Sequence, residues 1–155
     1  MDSLELQREL CRVRNLRPTD LNRVVELDAL ITGRERRGYY ANKLDVNLLD
    51  SSVTISLGAE SDGRLVGFLL ARVWTGEFGM TEPTAVLDTI GVHPDFQHHG
   101  VGDALVEQLL MNLRGLQVST LRTELAWNEF ALLRFFHHHG FHPAQRVCLD
   151  LNLMR

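Results

Sequence analysis

The feature of the sequence that most constrains its fold is a β-branched run that leads through a glycine loop into a helix. The run TAVLDTIGV ends at Val92, and the loop HPDFQHHG follows it directly. Beyond the loop, apolar residues recur at intervals of three and four: Leu105, Val106, Leu109, Leu110 and Leu113. This spacing predicts an amphipathic helix with one broad apolar stripe facing a core. A strand, a loop and a helix in direct succession indicate a domain that mixes strands with helices.

The loop has the properties of an anion site. A helix that begins directly after a loop presents unpaired backbone N–H groups and the positive end of its dipole to a ligand. Gly100 and Gly102 allow positive φ angles and let a ligand approach the backbone without meeting a Cβ atom. Glycines that serve only a tight turn would give the same pattern, so both interpretations stay open. A dinucleotide-binding motif is excluded because position 105 is leucine, and a P-loop because no Gly-Lys-Ser/Thr occurs.

Before the loop, the chain predicts one strand, two helical segments and a hairpin. CRVRNL predicts the first strand, and the helix after it begins with Thr19 as N-cap and ends at Gly33. RERRGYYANKLDVNLLD predicts a second helix or helical loop. VTISLGAE and LVGFLLARVW predict two antiparallel strands around the hairpin signal Asp62-Gly63.

After the loop, the chain predicts a helix, a strand, a helix and a strand. The first of these helices ends at Gly115, and VSTLRTELAW is the next strand. NEFALLRFFHHHG predicts a helix that begins with Asn128 as N-cap and ends at Gly140. The alternating segment VCLDLNL predicts a last strand. The predicted order of elements is therefore β-α-α-β-β-β-α-β-α-β.

Composition excludes several classes of protein. A chain of 155 residues with 45% hydrophobic and 23% charged residues fits one domain over residues 1–155. The net charge of −4 gives no positive field for nucleic acid or for an anionic membrane surface. Cys11 and Cys148 are too far apart for a paired-thiol or zinc motif, and no apolar stretch approaches the ~18 residues of a membrane span. We expect a cytoplasmic protein without nucleic-acid or membrane partners.

The histidines raise the question of a metal site, because all seven lie between positions 93 and 142. Consecutive residues of a helix point about 100° apart, so His137, His138 and His139 cannot close on one ion. Histidines near a helix C-terminus interact favourably with the helix dipole. We therefore expect no metal ion.

The motif QHHGVG, Gln97 to Gly102, resembles the Q/R-x-x-G-x-G/A signature of the GNAT superfamily of acyl-CoA-dependent N-acetyltransferases. Its position between LDTIGVHPDF and an amphipathic helix is similar to that family, and the order of elements fits over nearly the whole chain. The resemblance implies an α/β (α+β) fold with a mixed, mostly antiparallel central sheet flanked by about four helices. It also implies that an acetyl group passes from acetyl-CoA to a primary amine, by direct attack in a ternary complex.

The resemblance assigns residues to coenzyme A. In such proteins the strand before the loop pairs with the pantetheine arm and offers an amide to the thioester carbonyl, and its divergence from the next strand leaves a cleft for the acyl group. Loop amides cradle the pyrophosphate. An asparagine on a later helix contacts the cofactor, although an N-cap explains Asn128 equally well. The residues implied here are Ile90, Gly91, Val92, Gln97, His98, His99, Gly100, Val101, Gly102, Asp103 and Asn128.

The reaction needs a base, because a lysine-like amine has a pKa near ~10.4 and is charged at neutral pH. Asp88 is the first candidate, since it is the only carboxylate of its strand. Two-residue alternation places its side chain on one face with Val86, Ile90 and Val92. A solvated residue or a partner for Arg122 is the other interpretation of Asp88. Glu124, on the following strand, is the alternative base.

One departure from the family pattern concerns the acid. Counting back from Gly140-Phe141, the tyrosine that protonates the leaving thiolate in the family is replaced by Phe136. A thiol pKa near ~8.5 makes thiolate a fair leaving group without an acid. The missing hydroxyl equally supports a non-catalytic acyl-CoA-binding sensor or interaction module.

The sequence indicates fewer residues for the acceptor site than for coenzyme A. Tyr39 and Tyr40 lie in the second helical region, which covers the acceptor pocket in GNAT proteins, and we take both as candidate pocket residues, although one of them is expected to pack in the core. The sequence does not identify the acceptor, which is expected to be a small-molecule or peptide amine. It also leaves open whether the protein forms a homodimer.

Overall fold

A five-stranded sheet is the central element of the computed structural model, which describes residues 11–44, 53–74 and 81–154. The strands lie side by side in their order along the chain. All neighbours pair antiparallel except the last two, which are parallel. This is the mixed, mostly antiparallel sheet that the resemblance implies. The strands are β1 (Arg12–Asn15), β2 (Val53–Ser61), β3 (Arg64–Trp74), β4 (Thr84–Val92) and β5 (Thr120–Thr123).

The described residues also form four α-helices and two 3-10 turns. The turns are Pro18–Asp20 and Pro94–Phe96. No helix in the described ranges is long and apolar enough to cross a membrane. The order β-α-α-β-β-β-α-β-α confirms the prediction as far as the last helix. The helices are α1 (Leu21–Thr32), α2 (Arg37–Leu44), α3 (Val101–Gly115) and α4 (Phe130–His138).

The hairpin between β2 and β3 has the turn that Asp-Gly predicts. Asp62 and Gly63 have φ angles of 50° and 74°, and Ser61 pairs with Arg64 across them. Two successive positive φ angles are those of a type I′ turn, whose twist matches that of the flanking strands.

Strand β3 separates two apolar layers. Its residues from Leu65 to Ala71 are all buried, as expected for a strand covered on both faces. Phe68 and Leu70 join a cluster with Val24 and Leu27 of α1. On the other face, a Cβ atom at Gly67 would lie 3.0 Å from Val101 Cγ1 and 3.3 Å from Leu105 Cδ1 of α3.

Two predicted helix starts are wrong. Helix α1 has Asp20 rather than Thr19 as N-cap, because the 3-10 turn Pro18–Asp20 comes before the helix and includes Thr19. The Asp20 carboxylate closes that turn by accepting the Arg17 N–H at 2.7 Å, and it also accepts two Arg14 donors at 2.8 and 2.9 Å. Helix α4 has Glu129 rather than Asn128, and Glu129 Oε2 accepts the Ala126 N–H at 3.3 Å.

All three predicted helix ends are correct: α3 ends at Gly115, and the chain leaves α1 and α4 at Gly33 and Gly140. Gly33 and Gly140 adopt φ angles of 72° and 89°, the left-handed conformation that terminates a helix without cost to glycine. Both predictions depended only on the residue type and its place after an apolar pattern.

The end of the chain differs from the prediction. Strand β5 has four residues instead of the ten of VSTLRTELAW, since its ladder with β4 ends where Leu87 pairs with Thr123. The predicted last strand, VCLDLNL, is not a strand in the structure, and its apolar side chains are exposed. A strand needs a neighbour for its backbone N–H and C=O groups, and an alternating pattern alone does not provide one.

The structure divides into two compact units, the first ending at Glu124 and the second beginning at Leu125. The first contains the whole sheet with α1, α2 and α3, and the second contains α4 and the residues after it. A single domain over residues 1–155 stays a prediction. The charged N-terminus MDSLELQREL, the end of the second predicted helix (45–50) and the glycine-rich connection before β4 lie outside the described residues.

Candidate functional site

The edge of β4 becomes open partway along the strand. Strands β4 and β5 pair from Thr84 to Leu87 only, and Thr123 Oγ1 donates to the Leu87 carbonyl at 3.0 Å where the pairing ends. From Asp88 to Val92, β4 pairs only with β3 among the described strands. One row of backbone N–H and C=O groups therefore faces the gap between two diverging strands.

A β-bulge lies where this gap begins. Leu70 pairs with Thr89 and Ala71 pairs with Leu87, so that Asp88 is an extra residue in β4. The extra residue breaks the two-residue alternation, because residues paired directly across a ladder share a face. Val86 pairs with Arg72, whereas Ile90 pairs with Leu69 on the opposite face.

The bulge corrects the prediction that Asp88 shares a face with Val86, Ile90 and Val92, because only Val86 lies on its face. The Asp88 carboxylate points to the face of Arg72, on which it contacts α2, and Ile90 and Val92 point to the α3 face. Bulges are frequent next to active sites, where they redirect a side chain or end a pairing. This one does both.

The open edge leads into the loop before α3. Gly100 is the N-cap of α3 with a φ angle of 83°, and the first backbone hydrogen bond runs from the Ala104 N–H to the Gly100 carbonyl at 3.0 Å. The N–H groups of the first turn have no carbonyl partner within the helix. His98 also has a positive φ, 65°, which is uncommon outside glycine. Alternating left-handed residues turn successive amides toward one point, which forms a nest for an anion.

The two glycines of the motif have different roles. Gly100 uses the left-handed conformation that the sequence allows, as predicted. Gly102 lies inside α3 and is not among the residues of positive φ, so it does not use the conformational freedom that glycine allows. That its missing side chain lets a ligand approach the backbone stays a prediction.

Side chains fix the loop to the end of β4. Gln97 Nε2 donates to the Val92 carbonyl at 3.2 Å, and His93 Nδ1 accepts the Asp95 N–H at 3.1 Å. His98 and His99 are exposed beside the nest.

Asp88, the first candidate base, is held by two cations. Arg72 donates to it twice, from Nε at 2.8 Å and from Nη2 at 3.1 Å, and Lys43 Nζ donates at 3.3 Å. The Arg72 guanidinium also stacks over the Trp74 ring at 4.7 Å. The partner is thus Arg72 rather than the Arg122 considered from the sequence. Both oxygens of Asp88 are engaged.

Glu124, the alternative base, is exposed and directly follows β5. It takes part in no ion pair with another described residue. Because β4 and β5 diverge at Thr123, the backbone of Glu124 lies at the entrance of the gap.

The two candidate pocket tyrosines separate. Tyr40 is fully buried, and its hydroxyl donates to Asp28 Oδ1 at 2.8 Å, so it is the tyrosine that packs in the core. Tyr39 is partly exposed, and its hydroxyl lies 3.3 Å from Thr89 Oγ1, next to the bulge. Of the two, only Tyr39 keeps an exposed side chain beside β4, so it stays the candidate pocket residue.

Asp28 is a buried charge that the sequence analysis missed. It accepts hydrogen bonds from Arg36 Nε at 2.9 Å, from Arg36 Nη2 at 2.6 Å and from the Tyr40 hydroxyl. Burial alone would raise the pKa of Asp28, but the hydrogen bonds from Arg36 and Tyr40 outweigh it and leave the pKa below its usual value. Burial and the hydrogen bond to Asp28 raise the pKa of Tyr40. The available signal was an acidic residue one turn after Val24 on an apolar stripe.

Gly91 permits close packing beside the open edge. A Cβ atom there would lie 2.9 Å from Ile31 Cδ1 and 2.9 Å from two ring carbons of Phe68, which is fully buried. Glycine at this position therefore lets α1 approach β4. The remaining candidates lie in the second unit, where Asn128 is exposed ahead of α4 and Phe136 is buried with its ring 5.0 Å from that of Phe141.

Comparison with known proteins decides the family. The model of the acetyltransferase (GNAT) family matches residues 19–141. The chain belongs to the GNAT acetyltransferase family. Among solved structures, the aminoglycoside N-acetyltransferase AAC(6')-Iy in complex with CoA superposes with a TM-score of 0.76 at 17% identity, covering 92% of this chain and 95% of that one. At that identity the likeness concerns the fold alone.

Two curated relatives are N-acetyltransferases. The chain is 36% identical over 81 residues to the uncharacterized N-acetyltransferase ycf52 of Pyropia yezoensis, covering 51% of this chain and 43% of that one. It is 31% identical over 83 residues to the ribosomal protein bS18-alanine N-acetyltransferase of Escherichia coli K12, covering 54% and 51%. The match thus spans about half the length of each relative.

Proposed function

We propose that this GNAT protein transfers an acetyl group from acetyl-CoA to a primary amine by direct attack in a ternary complex. The observation that carries the proposal is the open backbone row of β4, which continues into the nest at the start of α3. An extended pantetheine arm carries amides that match a strand edge. A pyrophosphate matches unpaired N–H groups at the positive end of a helix dipole. A side chain at position 100 would be strained at the φ of 83° that Gly100 adopts.

Each part of the chain has a defined task in this reaction. The first-turn amides of α3 bind the pyrophosphate, and Gln97 keeps the loop at the end of β4. The β4 amides beyond Asp88 position the thioester and donate to its carbonyl oxygen. The amine nitrogen attacks the carbonyl carbon, the new N–C bond replaces the C–S bond, and the thiolate leaves with the electron pair. The amine proton passes to a base.

We assign the base to Glu124 rather than to Asp88. A proton on Asp88 would disrupt its paired hydrogen bonds with Arg72 and its contact with Lys43. Glu124 is exposed at the entrance of the gap and can take a proton at no such cost. Asp88 instead fixes Arg72 and Lys43 beside Tyr39, on the side where an acceptor would bind.

The experiment compares Glu124→Gln with Asp88→Asn by release of free thiol from acetyl-CoA. Loss of a general base costs about 10²–10⁴-fold in rate. We expect Glu124→Gln to lower kcat at neutral pH by an amount in this range. The kcat of the variant should recover as the pH rises toward the pKa of the acceptor amine, above which the amine is neutral without a base. Asp88→Asn should mainly raise the acceptor KM. If Asp88→Asn instead shows the pH-dependent loss of kcat and Glu124→Gln is active, the assignment is reversed.

A second candidate function is a non-catalytic acyl-CoA-binding module. The observation that favours it is Phe136, whose buried ring offers no hydroxyl to a leaving thiolate. The panel that separates the two functions contains aminoglycosides and peptides that begin with alanine, because relatives of this chain are named for those acceptors. Binding of acetyl-CoA without thiol release across this panel would favour the module.

A further inference from the structure

The residues around Tyr39 carry an excess of positive charge. The Arg36 guanidinium lies 5.5 Å from the centre of the Tyr39 ring, and Lys43 Nζ lies 5.6 Å from it. Each of these cations is also part of an ion pair, and Lys43 shares its carboxylate with Arg72. We call this group the Tyr39 cluster: Asp28, Arg36, Tyr39, Lys43, Arg72 and Asp88. Its three cations and two carboxylates give a net charge of +1, in a chain whose formal charge is −4.

The cations of the Tyr39 cluster are more exposed than its carboxylates. The Arg36 side chain is 41% exposed, whereas that of its partner Asp28 is 3% exposed. Arg72 and Lys43 are 25% and 22% exposed, and Asp88, which they share, is 12% exposed. Both oxygens of each carboxylate already accept hydrogen bonds. A ligand that approaches the cluster therefore meets positive groups.

The two arginines of the cluster keep donors for such a ligand. Arg36 donates to Asp28 and Tyr40 from Nε and Nη2, and Arg72 donates to Asp88 from the same two nitrogens. Neither Nη1 group donates to any residue that the structure describes. Hydrogen bonds between a guanidinium and a carboxylate are about twice as strong as those between neutral groups. The remaining donors therefore suit an anionic group.

The Tyr39 cluster lies at the start of the open row of β4. The Tyr39 hydroxyl is 3.3 Å from Thr89 Oγ1, and Asp88 directly precedes Thr89. Every residue of the cluster belongs to the first unit of the structure. In the proposed reaction the β4 amides beyond Asp88 hold the thioester, so the acceptor nitrogen reacts within about two residues of the cluster, roughly 7 Å along the strand.

We propose that the acceptor carries a carboxylate beside its amine, and that the cations of the Tyr39 cluster bind this carboxylate. The inference rests on the proposed acetyl transfer and names the class of its acceptor. The carboxylate belongs either to an acidic side chain next to a peptide N-terminus or to a free amino acid. A second positive charge on the acceptor is disfavoured, because it would approach cations of the same sign.

The first test compares acceptors that differ in charge near the amine, with release of free thiol from acetyl-CoA as the readout. Three peptide amides begin with Ala-Glu, Ala-Gln and Ala-Lys and are otherwise identical, and free alanine is compared with alaninamide. A hydrogen bond to a charged group corresponds to about 10–100-fold in affinity. We expect kcat/KM of the Ala-Glu peptide, or of free alanine, to exceed that of its neutral counterpart by this factor. The Ala-Lys peptide should be the poorest acceptor.

The outcomes separate the charge preference from the reaction itself. Equal kcat/KM values for charged and neutral acceptors, or a preference for the Ala-Lys peptide, overturn the proposal. If no acceptor releases thiol, the acetyl transfer is refuted, and the preference is then measured by calorimetry of the same acceptors with the protein loaded with coenzyme A. Tighter binding of the anionic acceptors supports the proposal in that case, and equal binding overturns it.

The second test changes the cluster instead of the acceptor. Lys43, the only lysine of the chain, is replaced in Lys43→Gln and Lys43→Arg, and Arg64→Gln removes the same charge from the exposed hairpin. We expect Lys43→Gln to lower kcat/KM about tenfold for the anionic acceptor and little for the neutral one. Lys43→Arg and Arg64→Gln should both keep the preference. Equal losses for the two acceptors in Lys43→Gln, or the same loss of preference in Arg64→Gln, overturn the proposal.

Discussion

Replacing Asp28 with asparagine would remove the one charged side chain buried in the described core. The carboxylate accepts two hydrogen bonds from Arg36 and one from Tyr40, and its side chain is 3% exposed. Asparagine has nearly the same shape, so packing is preserved. The substitution therefore isolates the effect of the charge.

The expected loss of stability follows from what the substitution leaves behind at Arg36 and Tyr40. Breaking a fully buried ion pair costs about 3–5 kcal/mol, because the remaining charge is left without water. The Arg36 side chain is 41% exposed and can be hydrated, and the asparagine oxygen can still accept from Tyr40. We therefore expect a loss of about 2–3 kcal/mol in the free energy of unfolding at neutral pH. In a chain of this size that lowers Tm by roughly 5–10 °C.

The loss should depend on pH in a defined direction. The folded state holds the pKa of Asp28 below its usual value. The stabilisation is therefore fully present above the unfolded pKa of ~3.9 and is lost as the pH falls through the lower folded value. The difference between wild type and Asp28→Asn should shrink on acidification across this range.

The assay is urea unfolding followed by circular dichroism, at pH 7 and at a series of acidic values. Glu26→Gln is the matched control, because Glu26 also pairs with an arginine on α1, Arg23 at 2.9 Å, but at the surface. Its midpoint should be nearly unchanged. Equal losses for the two variants, or an Asp28→Asn loss that is the same at every pH, would refute the reasoning.

Three further predictions concern glycines and the proposed site. Gly100→Val should abolish binding of acetyl-CoA, measured by calorimetry, with an unchanged circular dichroism spectrum, and retained affinity would show that the nest is not the anion site. Gly91→Ala should cost about 1–3 kcal/mol in urea unfolding through overpacking against Phe68. Gly115→Ala, where a Cβ atom meets nothing within 4 Å, is its control and should be neutral. His98→Ala and His99→Ala together should weaken coenzyme A binding less than Gly100→Val does, because both side chains are exposed and the backbone amides of the loop stay in place; a loss as large as that of Gly100→Val would contradict this.

The sequence predicts the elements whose conformation depends on residues adjacent in the chain. The Asp62-Gly63 turn, the helix ends at Gly33 and Gly140 and the strand–loop–helix order around Gly100 each follow from residues adjacent in the chain. Their conformations are set by backbone sterics and hydrogen bonds within a few residues. Tertiary contacts only confirm what these segments already prefer.

The features that the sequence did not predict join distant residues. Arg72 and Asp88 are 16 positions apart, and they meet because β3 and β4 pair with a bulge that no local pattern marks. Asp28 interrupts an apolar stripe, and its charge is acceptable only because Arg36 and Tyr40 come from the next helix. The alternating pattern of residues 147–153 was visible in the sequence, but the structure forms no strand there, since a strand also needs a partner edge that the pattern does not specify.

The bulge at Asp88 also determines what a shorter β4 would lose. Deleting Asp88 would leave the ladder in register, because Leu87 already pairs with Ala71 and Thr89 already pairs with Leu70. Ile90 would still pair with Leu69, and Gly91 would still face Ile31 and Phe68. The strand has one residue more than its ladder with β3 needs, and that residue supplies the carboxylate that binds Arg72 and Lys43. Loss of this residue would therefore remove the charge beside the open edge and leave the faces of the strand as they are.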